Sequence, residues 1–128
     1  MTKKVLQVIE SAYRATVEEQ DDTAVWMAHA LKGAGADIGV LLRGNAVNYL
    51  VKAQEPNALS FGAWKQKHPS ELAEDVVKLM GKGVEVYFVE EDAAERGLER
   101  TDFISGPRAV SRSGLPKLFS GYHQVWHW

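Results

Sequence analysis

Residues 81–92 run Gly81-Lys82-Gly83-Val84-Glu85-Val86-Tyr87-Phe88-Val89-Glu90-Glu91-Asp92. The two glycines close whatever precedes them, because glycine takes the left-handed conformation that ends a helix at little cost. Val84 to Val89 is dominated by β-branched and aromatic residues, the composition of a strand. The three acids that follow sit where a helix begins and where negative charge suits its dipole. The order helix, Gly-x-Gly, strand recurs upstream at Leu31, Gly33-Ala34-Gly35 and Asp37–Leu42. Strands alternating with helices predict a mainly parallel sheet with helices on both faces. We expect Val84–Val89 to be its central strand.

Outward from this unit the signals continue. Val5–Ile9 is apolar with one polar break and predicts a strand buried on both faces. Ser11–Gln20 is polar and predicts a loop, and Asp21-Asp22-Thr23 carries the oxygens that cap a helix start. Ala24, Met27, Ala28 and Leu31 then share one helical face. Arg43-Gly44-Asn45 predicts a turn with Asn45 as N-cap of a short helix through Val51. From Ala53 to His68 the pattern is lost, and Phe61 and Trp64 fall in this long connection, of a kind that often carries a partner surface or a lid. Pro69-Ser70-Glu71 predicts a third helix start, with Leu72, Val76, Leu79 and Met80 on its apolar face. Glu90-Glu91-Asp92 opens a short helix that stops at Gly97. Beyond it, Arg108–Ser111 and Gln124–Trp128 predict strands and Leu115–Phe119 a short helix. About five strands result, and the expected fold is α/β: a flavodoxin-like three-layer α/β/α sandwich, in flavodoxin-like strand order, with residues 1–128 as a single domain.

Composition excludes more than it identifies. The chain has 128 residues, close to the roughly 150 expected of one domain. Lys plus Arg number 15 and Asp plus Glu 17, a net charge of −2, which argues against a general nucleic-acid footprint and against a polybasic membrane anchor. There are no cysteines, so disulfides, zinc–thiolate sites, iron–sulfur clusters and persulfide carriers are excluded together. The apolar stretch after Met1-Thr2-Lys3-Lys4 is too short for a signal-peptide core or a membrane span, and a cytoplasmic protein is expected.

Several motifs have a functional and a structural reading. Gly33-x-Gly35-x-x-x-Gly39 has the wrong spacing for a dinucleotide site and precedes a strand, whereas phosphate binding needs a strand-to-helix turn. Helix capping explains it. The loop after the first strand lacks the glycines of a flavin-phosphate site, and no lysine stands where a receiver-type phosphoacceptor needs one. Glu90-Glu91-Asp92 lies at a strand's carboxyl end, where open α/β sheets bind ligands; its structural reading is dipole complementarity. His29, His68, His123 and His127 lack the spacing and the orienting acids of a metal set. Trp126 and Trp128 point to one face if the tail is a strand, and need cover from the chain's own helices or from another subunit.

Leu41-Leu42-Arg43-Gly44-Asn45-Ala46-Val47, Gly81-x-Gly83-Val84-Glu85-Val86-Tyr87 and Arg96-Gly97-Leu98 together resemble the DsrE/DsrF-like family of small α/β proteins linked to sulfur relay and intracellular sulfur oxidation. The resemblance implies a flavodoxin-like sandwich assembled as trimers or hexamers. It also implies a sulfur-accepting cysteine just after the strand ending at Phe88, which falls at about Val89, with Asp92 where some members have a second cysteine. Valine forms no thiolate, so persulfide transfer is chemically excluded. The expectation is a non-catalytic homo-oligomeric scaffold or binding subunit, with no cofactor, no metal and a possible sulfur-pathway protein partner. The alternative is a protein or enzyme that binds a small anion or nucleotide at the strand carboxyl ends, lined by Tyr13, Arg14, Arg43, Asn45, Glu91 and Asp92. Arg43 and Arg14 would hold an anion by charge-assisted hydrogen bonds, or Arg43 would pair with the acid cluster and brace the fold.

Overall fold

The structure, a computed structural model, describes residues 3–12, 22–54, 58–67, 69 and 71–128. Five parallel strands form the main sheet: β1 (Lys4–Ile9), β2 (Asp37–Leu42), β5 (Glu85–Val89), β6 (Arg108–Val110) and β7 (Gln124–His127), in the order β6-β5-β2-β1-β7. The expected three-layer architecture and five-stranded parallel sheet are present. The strand order is not the flavodoxin-like one, in which the second strand is an edge. Here β2 is the middle strand, and β5, expected at the centre, lies one place from the edge. The physical reason is burial. Every residue from Ile38 to Leu42 is buried, as the middle strand of a parallel sheet requires, whereas β5 exposes Glu85 and half-exposes Tyr87.

Successive side chains on a strand point to opposite faces, and the two faces are covered unequally. One receives α1 (Thr23–Gly33), α2 (Leu72–Gly81), α3 (Glu90–Glu95) and a 3₁₀-helix (Gly44–Leu50), which enclose Ile9, Val40, Leu42, Val86 and Phe88. Phe88 meets Phe103 edge-on, with ring centroids 5.0 Å apart. The other face holds Leu6, Val8, Leu41 and Val89 beneath Leu115 of α4 (Leu115–Ser120). Tyr122 lies over this face at Gly39, where a Cβ would overlap its hydroxyl. Beside it the Tyr87 hydroxyl donates to the Glu85 carboxylate, and burial first and that hydrogen bond second push the Tyr87 phenol up.

Caps fix the helices in register with the sheet. Asp22 caps α1: its Oδ1 accepts from Ala24 N at 2.9 Å and Val25 N at 3.2 Å, and its Oδ2 accepts from the Tyr49 hydroxyl at 2.6 Å. Buried Gln7 donates from Nε2 to the Ala24 carbonyl at 2.9 Å, joining the middle of β1 to the same helix start. Gly35 (φ 92) and Gly83 (φ 90) both adopt the left-handed conformation expected of them. α2 begins at Leu72, with Glu71 at the cap position and no side-chain cap bond. The start expected at Pro69-Ser70-Glu71, with Ser70 as cap or Pro69 as first helical residue, falls a little early, and Ser70 itself lies outside the described residues.

The patternless connection is not structureless. β3 (Ser60–Phe61) and β4 (Trp64–Lys65) form an antiparallel hairpin. Gly62 has φ 58, the positive value that a two-residue hairpin turn needs at its first central position. Phe61 and Trp64 face each other across it with centroids 6.0 Å apart, and both are exposed. The final strand is in place as expected. β7 pairs with β1, Trp128 packs on the chain's own core, and Trp126 stays 37% exposed. No helix among the described residues is long and apolar enough to cross a membrane.

Candidate functional site

The carboxyl ends of parallel strands are where an open α/β sheet presents its loops, most favourably where the strand order reverses. Here the chain steps from β1 to β2, β5 and β6, while β7 lies on the other side of β1. The reversal therefore falls between β1 and β7. Glu10 and Ser11 leave β1 at this point, and their backbone N–H groups donate to the Trp128 carbonyl at 2.9 and 3.3 Å. The Glu10 carboxylate accepts from His127 Nε2 at 3.1 Å and lies 3.8 Å from Arg43 Nε. Arg43 thus pairs with Glu10, on the β1 side, and not with the Glu90-Glu91-Asp92 cluster. Gly44 has φ 57, and a Cβ there would stand 3.1 Å from Glu10 Cγ, so a residue without a side chain carries the chain past Glu10.

A second group of charges lies across β2, centred on Asp92. Its Oδ2 accepts from the Gly44 N–H at 2.8 Å, and its Oδ1 pairs with the Arg112 guanidinium. The same Arg112 nitrogen also donates to Glu95 Oε1 at 2.9 Å, and the Arg112 backbone N–H donates to the Glu91 carboxylate at 2.9 Å. Arg96 closes the group, donating to the Asp92 carbonyl and to Asn45 Oδ1, each at 3.0 Å. Burial alone would push the Asp92 carboxyl up; the Gly44 N–H and the Arg112 guanidinium outweigh it and hold the carboxyl below its usual range. Asn45 is not an N-cap. Arg43 occupies that position with an extended backbone, and Asn45 sits inside the 3₁₀-helix as a hydrogen-bond acceptor.

Four of the six residues expected to line a ligand site, Arg43, Asn45, Glu91 and Asp92, lie together at this edge, and Tyr13 and Arg14 fall outside the described residues. Arg96, Glu95 and Arg112 were not expected. Arg112 follows a stretch punctuated by Gly106 and Pro107, without the periodicity that would have assigned it to a face. Chemically the Asp92 group is a set of donors and acceptors engaged with one another, with Arg112 and Glu95 open to solvent on their outer sides. Asp92 stands where an anion would meet the Gly44 N–H. Among the described residues no cluster of three or more His, Asp or Glu is placed to hold a metal ion. Val89, at the end of β5, is fully buried among Leu6, Val8, Leu41 and Leu115.

The sequence model described as the DsrE/DsrF-like family matches residues 3–125. Three solved structures have the same fold. The YchN protein from E. coli is 18% identical with a TM-score of 0.74, over 100% of both chains. A protein of unknown function from Methanobacterium thermoautotrophicum is 16% identical with a TM-score of 0.64, over 97% of this chain and 98% of that one. A conserved protein of unknown function from Bacteroides thetaiotaomicron is 12% identical with a TM-score of 0.65, over 98% and 95%. No curated protein sequence matches the chain.

Proposed function

The chain belongs to the DsrE/DsrF-like family, and on that premise we propose that it is a non-catalytic, homo-oligomeric scaffold or binding subunit of sulfur metabolism, working in the cytoplasm beside a protein partner of the same pathway. The observation that carries this reading is the residue at position 89. The family resemblance puts the sulfur-accepting thiol there; this chain has valine, and no cysteine at any other position. A persulfide needs a thiolate. Valine also suits its surroundings, a dry pocket of aliphatic side chains at the end of an inner strand. The Asp92 group supports the same reading, because its carboxylate and guanidinium groups are engaged with one another and with the backbone.

Two measurements test the proposal. After incubation with a persulfide donor, intact mass spectrometry is expected to show no added sulfur, and sulfur passed on to an acceptor protein would overturn the non-catalytic reading. Light scattering is expected to give three or six times the chain mass of 14.2 kDa. A monodisperse monomer would overturn the scaffold.

One observation favours the second reading, a small-anion site at the carboxyl edge. The Arg43 Nε is buried and has no hydrogen bond among the described residues, its carboxylate neighbour being 3.8 Å away. Such a guanidinium has donors to offer an oxyanion. A thermal-shift panel of sulfate, phosphate and sulfite, repeated with Arg43→Ala, separates the readings: equal response from the variant removes the site from this edge.

A further inference from the structure

A second concave surface lies away from the strand edge, on the outer side of the helical layer. α1 and α2 run side by side there, and the groove between them opens into a cavity of about 510 Å³. Its walls carry Trp26 and His29 from α1, one turn apart, and Asp75, Lys78 and Lys82 from α2 and its C-terminal end. Trp26 is 55% exposed, the largest side chain on the described surface to be so open.

The polar groups in this groove are ordered. The His29 Nε2 lies 3.0 Å from the Asp75 backbone carbonyl, which only accepts, so that nitrogen carries the proton. The Lys82 ammonium, which only donates, lies 3.0 Å from Nδ1. His29 is therefore the neutral Nε2–H tautomer and holds Lys82 by one of its three protons, leaving two for a ligand. Lys78 lies four residues earlier on the same helix face, so the two ammonium groups stand on one wall. Against them the groove supplies the single carboxylate of Asp75. An anion is matched by this excess of positive charge, and two cations suit a doubly charged one. The volume is within the range of small-molecule sites and well beyond the needs of an inorganic ion. The open indole face supplies a platform on which a planar ring stacks.

We propose that the α1–α2 groove is a binding site for a nucleoside monophosphate, with the base on Trp26 and the phosphate held by Lys78 and Lys82. The proposal does not rest on the scaffold reading or on the anion reading of the strand edge, and its test separates it from both.

The probe is AMP, titrated calorimetrically into the full chain, with adenosine and inorganic phosphate as separate arms. AMP is expected to bind more tightly than either half. The double variant Lys78→Ala/Lys82→Ala, both positions exposed, should weaken AMP at least tenfold and leave adenosine unaffected. Trp26→Ala should weaken AMP and adenosine by similar factors. Arg43→Ala, at the other site, should leave AMP affinity unchanged. Circular dichroism confirms that each variant is folded. Four results would overturn the proposal: no heat from AMP at millimolar concentration, full affinity in the double-lysine variant, loss of AMP binding in Arg43→Ala, or phosphate binding as tightly as AMP. A further one would assign the groove to a second copy of this chain, namely Trp26 emission that changes on dilution and not on adding AMP.

Discussion

At Asp92, one carboxylate joins three segments that are far apart in sequence. It holds the start of the 3₁₀-helix after β2 through Gly44, the segment after β6 through Arg112, and its own helix α3. Asp92→Ala is expected to destabilise the fold by about 1–3 kcal/mol, because the half-buried Gly44 N–H loses its acceptor and exposed Arg112 loses one of its two carboxylate partners; urea denaturation measures it. Asp92→Asn, which keeps an oxygen for Gly44, should cost less. The pH dependence has a definite sign. The folded-state pKa lies below the ordinary value of 3.8, so the stability it contributes is complete above that value and is lost as pH falls through the depressed one. The urea midpoint should drop below about pH 4, and Asp92→Ala should flatten that part of the drop. At Gly39 the expectation is steric. A methyl group at this position would press on the Tyr122 hydroxyl, so Gly39→Ala should cost about 1–3 kcal/mol, and Gly39→Ala/Tyr122→Leu should recover part of it. Asp92 and Arg43 were legible in the sequence as edge residues because they follow strands directly. Their partners were not, since Arg112 and Glu10 reach them through tertiary pairing that no local pattern records.

Among the elements, Val84–Val89 is the clearest strand in the sequence, and the other two inner strands are legible from their apolar, β-branched composition. Val5–Ile9 is apolar except at Gln7, Asp37–Leu42 is a run with no polar side chain after Asp37, and both lie inside the sheet. That same run places β2 away from an edge, which the analogy with flavodoxin order had obscured. β5 drew attention because its flanking glycines and acids are so distinct, but distinct punctuation says where a strand begins and ends, not where it lies in the sheet. Leu41→Ala, at a fully buried position under α4, should lower stability by about 2–5 kcal/mol by chemical denaturation. The 60–65 hairpin is not legible in the sequence because it has only two residues per strand, too few for alternation to register.

For the whole molecule, the tail bears on how assembly is tested. Because β7 pairs with β1 and Trp128 packs on the chain's own core, removing residues 126–128 would damage the protomer as well as any interface. Trp126→Ala leaves the strand intact. If the proposed oligomer covers that side chain, the variant should weaken assembly by about 1 kcal/mol per protomer, part of the value of a fully buried aromatic, and light scattering on dilution should show the change; an unaltered dissociation curve would clear Trp126 of the interface.

The pairing of β1 with β7 also governs the order of events when the chain is made. Lys4 donates its backbone N–H to His123 Nδ1, across 119 positions of sequence. A contact of such separation carries a large closure entropy and slows the search for the native topology. During translation β2 is available to one side of β1 early, but the other side has no partner until residues 124–127 have cleared the ribosome. Until residues 124–127 emerge, the nascent sheet presents an unpaired row of N–H and C=O groups along its first strand, the kind of edge that recruits other chains. Residues 124–127 therefore act as the stitch that closes that edge, and ribosome-bound chains stalled just short of them should be the species most dependent on chaperones.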